Sequence, residues 1–192
     1  MRNLIESQAV EGHLPFTTSS ALAAGLTVEE LQGEHWRSLM PDVWVAATAP
    51  VDRPTWRDAA RLVLPADSVL CGLSALAEHG VELRPDGDVS VHVATGVKHR
   101  RRSTAIVNHR LVLAPDEVAV LGRWMVTTAQ RTAFDCVRWA EPSQALETAD
   151  AIVRSELVQV DELLEWVERY PRLHGMCQVR AVAEALCGSA AA

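Results

Sequence analysis

The sequence predicts an α+β chain, and three observations predict it. Apolar residues recur at helical spacing over 55–64 and again from Thr128 onward. Between Val89 and Val126 they alternate instead with polar residues, the period of half-buried strands. Pro54, Pro65, Gly80 and Gly122 fall between the periodic stretches, where chain breaks belong. With 192 residues and 48% apolar content, the chain has material for one ordinary domain and a small one, and wholesale disorder is excluded.

Each element has its own reason. Residues 1–11 read as a lead-in helix. A short helix over 19–24 ends at Gly25, the residue best able to adopt the left-handed backbone of a sharp turn. Leu26 plugs that turn. Thr27 is an N-cap and Glu30, three residues on, completes a capping box for a second helix. The stretch through Val43-Trp44-Val45-Ala46-Ala47 then reads as a β-ribbon. Two short helices, a tight turn and a ribbon form the pattern of a winged helix-turn-helix, a unit that sets a helix in the DNA major groove.

Val51-Asp52-Arg53-Pro54 breaks the chain after the ribbon. The helix expected at 55–64 has Ala59, Ala60, Val63 and Leu64 as its apolar stripe, and Pro65 stops it. Another covers 73–79 and closes at Gly80. Strands are expected at 89–94, 105–112, 118–121 and 123–126, the last two separated at Gly122. Thr128 caps a helix running through Trp139, with Ala133, Phe134 and Val137 on one face. Further helices are expected at 143–155, 161–170 and 175–186, and the last six residues look like a linker or a cut end. The expected organisation is an N-terminal winged helix-turn-helix head at 1–50, a small mixed sheet packed with helices at 51–140, and a helical C-terminal tail at 141–192.

Charge narrows the function classes. The net charge of −7 argues against a generic nucleic-acid coat protein, which is basic. Its distribution is uneven: −3 over 1–64, +1 over 65–133 and −5 over 134–192. Any phosphate-binding surface is therefore expected in the middle third. Cys71, Cys136, Cys177 and Cys187 form no C-x-x-C pair, so neither disulfides nor a zinc site are expected. No signal peptide or membrane-length apolar run is evident, and the expected location is cytoplasmic.

Two sites carry binding chemistry. In the head, Thr27, Gln32 and His35 are candidates for groove contact, with Arg37 on phosphate. The alternative is a degenerate head used for protein contact, because Glu29 and Glu30 would repel a phosphate backbone. The second site is Lys98-His99-Arg100-Arg101-Arg102, a basic loop between strands. Lys98, Arg100, Arg101 and Arg102 suit phosphate contact or minor-groove insertion, and Arg110 with His109 extends the patch. The bland alternative is a solvated hairpin tip. Arg131 and Asp135, at i and i+4, read as a structural ion pair anchoring their helix to the sheet. His79, His92 and His109 lack metal-ligand spacing, and Ser74 lacks a nucleophile elbow and reads as a helix cap. No catalytic residue, metal or cofactor is expected.

Four segments in order carry a resemblance. They are Thr17-Thr18-x-x-Ala21-x-x-x-Gly25-Leu26-Thr27, then 36–45 (WRSLMPDVWV), 70–80 (LCGLSALAEHG) and 127–135 (TTAQRTAFD). Together they resemble the AbiEi-type antitoxin and transcriptional-regulator family, especially actinobacterial members that precede a Vsr-like (very-short-patch-repair-like) endonuclease domain. The likeness spans most of 17–185. It implies double-stranded DNA as a partner, regulation of transcription and a cognate nucleotidyltransferase toxin. Relatives carry Arg or Lys in the second helix where this chain has Glu29 and Glu30. Longer relatives continue into the nuclease-like domain, so nuclease activity is not carried over. A homodimer would let two heads reach adjacent half-sites. Three readings stand: a DNA-binding regulator, a module that binds a toxin without DNA, and the non-catalytic front half of a Vsr-like endonuclease.

Overall fold

Thr17 caps the first described helix with its own side chain: Oγ1 accepts the Ser20 amide at 3.1 Å. A computed structural model describes residues 14–95 and 105–190. The expected lead-in helix at 1–11 and the basic loop at 98–102 lie outside the described residues. The chain divides into two compact units. The first holds residues up to Ser68 with Gly87–Val91 and Thr95–Asn108; the second holds Val69–Asp86, His92–Ala94 and the chain from His109. The architecture is mixed α+β, with eight α-helices and two sheets among the described residues.

In the first unit, strand β1 (Phe16–Thr17) leads into α1 (Thr18–Ala23), and α2 (Val28–Leu31) follows. Gly25 makes the turn between the helices with φ +92°, a conformation in which most side chains are strained. The hairpin strands are β2 (Trp36–Met40) and β3 (Val43–Ala46). Strand β3 pairs antiparallel with both β1 and β2, giving the order β1-β3-β2. Phe16, Ala21, Leu26 and Leu31 form a small core under Trp36 and Trp44, so Leu26 does fill the turn. Helix α3 (Arg53–Val63) covers this sheet, with Ala59 and Ala60 fully buried. It begins two residues before the expected start. Asp52 is the N-cap, and Pro54 sits in the first turn, where a missing N–H costs nothing. The helix expected to cover the larger sheet therefore packs on β1–β3.

The larger sheet has the order β6-β5-β4-β8-β7. Its strands are β4 (Val69–Leu70), β5 (Val91–Ala94), β6 (Ile106–His109), β7 (Val118–Leu121) and β8 (Trp124–Thr127). All four expected strands join one sheet; 118–121 keeps its expected bounds and the other three are trimmed or shifted by a few residues, with Val89 and Arg110 outside the ladder. The unexpected β4 sits at the centre, antiparallel to β5 and parallel to β8. Helices α4 (Gly72–Glu78), α5 (Ala129–Trp139), α6 (Ala145–Arg154), α7 (Val160–Arg169) and α8 (Met176–Ala190) belong to the second unit. Leu76, Phe134, Ile152, Leu163, Val167 and Val179, one or more from each helix, meet in one core. The C-terminal helices thus share a core with α4 and α5. Helix α8 extends to Ala190, so 187–190, which read from sequence as a linker or a cut end, are helical. Among the described residues, no helix is long and apolar enough to cross a membrane.

Candidate nucleic-acid interface

The expected groove-reading residues sit on a very short element. Helix α2 is one turn long, and both its ends are occupied by capping. Thr27 Oγ1 accepts the Glu30 amide at 3.1 Å, while Glu30 Oε2 accepts the Thr27 amide at 2.8 Å. Glu30 therefore serves the helix it belongs to. Glu29 takes no part in that exchange, and both carboxylates are exposed.

Gln32 is the C-cap of α2, and His35 lies in the turn before β2; both are exposed. Arg37 lies on β2, and its Nη2 donates to the Ala49 carbonyl at 2.8 Å, which ties the side chain to the following loop. The hairpin beyond it shifts register between Ser38 and Met40, and Asp42 turns the chain with φ +65°. Trp44 Nε1 donates to Thr18 Oγ1 at 2.9 Å and fixes β3 against α1. Thr27, Gln32, His35 and Arg37 are thus exposed residues of the first unit. Arg110 is exposed just beyond β6 and belongs to the second unit.

The Arg131–Asp135 pair is deeper than its spacing suggests. Arg131 Nε donates to Asp135 Oδ2 at 2.9 Å, and Nη1 to Glu117 Oε2 at 3.0 Å; Glu117 and Asp135 are fully buried. Asp135 Oδ1 also accepts from Arg138 Nε at 2.6 Å. Tyr170 donates its hydroxyl to Glu117 Oε1, and the Ala114 amide donates to Oε2. Burial, then the hydrogen bond to Glu117, raises the Tyr170 hydroxyl above its ordinary value. Buried charges survive only when paired and hydrogen-bonded, and this set meets that condition. It joins α5 to the segment entering β7 and to the end of α7, and so is structural. Its i,i+4 core was readable from sequence. Glu117 and Tyr170 carried no local signal, because only the folded chain brings them to Arg131.

Two smaller corrections concern α4. Ser74 does not cap it. The N-cap is Cys71, without a side-chain bond, and Ser74 Oγ accepts the His92 amide at 2.9 Å, stitching α4 to β5. His79 Nε2 sits 2.8 Å from the Thr127 carbonyl and anchors the other end. Cys71 and Cys136 are buried, and burial lifts both thiols well above the ordinary range. All four cysteines are free. Among the described residues, no group of three or more His, Cys, Asp or Glu side chains is placed to hold a metal ion.

No protein-family model matches the chain, and no curated protein matches it.

Proposed function

We propose that this chain is a non-catalytic DNA-binding regulator of transcription whose first unit is a winged helix-turn-helix. The observation that carries the proposal is the connectivity β1-α1-α2-β2-β3 with β3 between β1 and β2. A helix pair flanked by a short strand and a hairpin in that order is the layout of a winged head, with β2–β3 as the wing. Thr27, Gln32 and His35 supply what groove contact the short α2 allows, and Arg37 the backbone contact. The larger share of affinity comes from Lys98, Arg100, Arg101 and Arg102, which neutralise phosphates without reading sequence. The protein works in the cytoplasm on double-stranded DNA, as a homodimer when two half-sites are occupied. Hydrogen exchange of the full chain, with and without a mixed-sequence duplex at low salt, tests the assignment. Protection of amides in 17–47 is the expected result. Binding that leaves this segment unprotected overturns it.

One observation favours a second reading. Glu29, Glu30 and Glu34 are all exposed on and just after α2, which makes this short segment acidic. Such a segment suits a basic protein surface, and an antitoxin that grips a nucleotidyltransferase toxin would use it in that way. Copurification with the product of an adjacent toxin gene, lost on charge reversal at Glu29 and Glu34, supports this reading.

A further inference from the structure

The second unit contains a cavity of about 550 Å³, within the size range of small-molecule sites. One wall is a ladder of rings. His92 Nδ1 and His109 Nε2 lie 3.0 Å apart, with ring centroids separated by 5.1 Å. His109 in turn stacks on Trp139, with centroids at 4.2 Å and planes 15° apart. The start of α4 closes in on this ladder at Gly72. Its φ of +51° and its tight approach exclude a side chain, since a Cβ there would lie 3.1 Å from Trp139 Cζ3. The stack is therefore held from several sides and presents a preformed wall.

The described charged groups that line the cavity are acidic, and the Arg138 guanidinium that stacks on Trp139 at 4.5 Å is paired with Asp135. Cys136 contributes an apolar surface, because burial keeps its thiol protonated. Burial also lowers the His109 imidazole from its ordinary value of 6.5, so that ring is neutral at pH 7. Among the described residues no Lys or Arg lines the cavity, whereas Glu141 and Glu147 do. Both carboxylates are exposed, and neither has a hydrogen-bond or ion-pair partner among the described residues. A phosphate or carboxylate ligand would meet two like charges. A ligand with aromatic or aliphatic bulk and one positive nitrogen would match both the wall and the rim.

We infer that this cavity is a binding site for a small apolar organic cation, with its ring system along the His92–His109–Trp139 wall and its charge near Glu141 and Glu147. The site lies wholly within the second unit and does not depend on the DNA-binding reading.

The test is a fluorescence titration of the full chain with berberine, a planar quaternary ammonium dye that brightens in apolar surroundings. The anionic dye 8-anilinonaphthalene-1-sulfonate is the control. The site predicts saturable binding of one berberine per chain, weakened by added salt. The double variant Glu141→Gln/Glu147→Gln should bind roughly five- to tenfold more weakly and lose most of the salt dependence. Thr148→Trp, which places a ring in the cavity, should abolish binding while melting as a folded protein. If that variant fails to fold, the glutamine pair, exposed and without partners, still decides. Absence of saturable berberine binding overturns the inference. So does equal affinity in the glutamine variant, or anionic dye that binds as tightly and is displaced by berberine.

Discussion

Asp135 accepts hydrogen bonds from two guanidinium groups while fully buried, so its removal strands positive charge in the interior. Breaking one member of a buried ion-pair set costs about 3–5 kcal/mol. Asp135→Ala is therefore expected to lower stability by about that amount in guanidinium unfolding; a midpoint equal to wild type would contradict the structural role. His109 sets a second residue-scale expectation. Its folded pKa is depressed, first by burial and then by the Arg138 charge, with Asp135 opposing. The unfolded chain thus takes up the proton at higher pH than the folded one. The contribution is favourable above the ordinary value of 6.5 and is lost as pH falls from there towards the folded value. The neighbouring carboxylates Glu141 and Glu147 and the paired His92 stay in place in a His109→Gln variant, which should show a flatter stability profile between pH 7 and pH 5 than wild type. Parallel profiles would remove His109 from the acid response. At this scale the sequence showed local pairs, such as Arg131 with Asp135 four residues on. It could not show Glu117 beside Arg131 or His92 beside His109, because those contacts depend on how strands and helices close in space.

Elements were legible where their ends carry chemistry. The Thr27–Glu30 capping box, Gly25 after α1 and Gly122 between β7 and β8 each mark a boundary that follows from backbone or side-chain hydrogen bonding. Strand β4 was not legible, since two residues cannot display alternation, yet it joins β5 to β8 at the centre of the sheet. The start of α3 was misplaced because Pro54 reads as a break from sequence but is at home in a first turn. Capping also separates the two acidic residues of α2. Glu30→Gln keeps the acceptor but weakens a charge-assisted bond at 2.8 Å, whereas Glu29→Gln leaves the box intact. Thr27→Ala should destabilise the first unit by about 1 kcal/mol. Glu29→Gln should leave stability unchanged and tighten duplex binding at low salt, by removing one repulsive charge. If Glu29→Gln leaves duplex affinity unaltered in a titration at 50 mM salt, α2 does not approach the phosphate backbone.

For the whole molecule, the α+β class was legible from periodicity alone, while the grouping of elements was not. Helix α3 could have covered either sheet by its apolar stripe, and the chain places it on β1–β3. The cavity beside Trp139 left no trace in the sequence, since its lining comes from α4, β5, β6, α5, α6 and nearby loops. The proposed function has an acidic chain, with net charge −7, bind a polyanion. In the proposed function the basic run at 98–102 supplies the attraction that α2 lacks. The decisive measurement is an anisotropy titration of labelled duplex at four or more salt concentrations, with wild type and Arg100→Ala/Arg101→Ala/Arg102→Ala. The expected result for the proposed function is binding that weakens with salt, and a variant that binds all sequences more weakly with a log–log salt slope flatter by about two to three units. A variant with wild-type affinity and slope, or a wild type that binds no duplex at low salt, would contradict it.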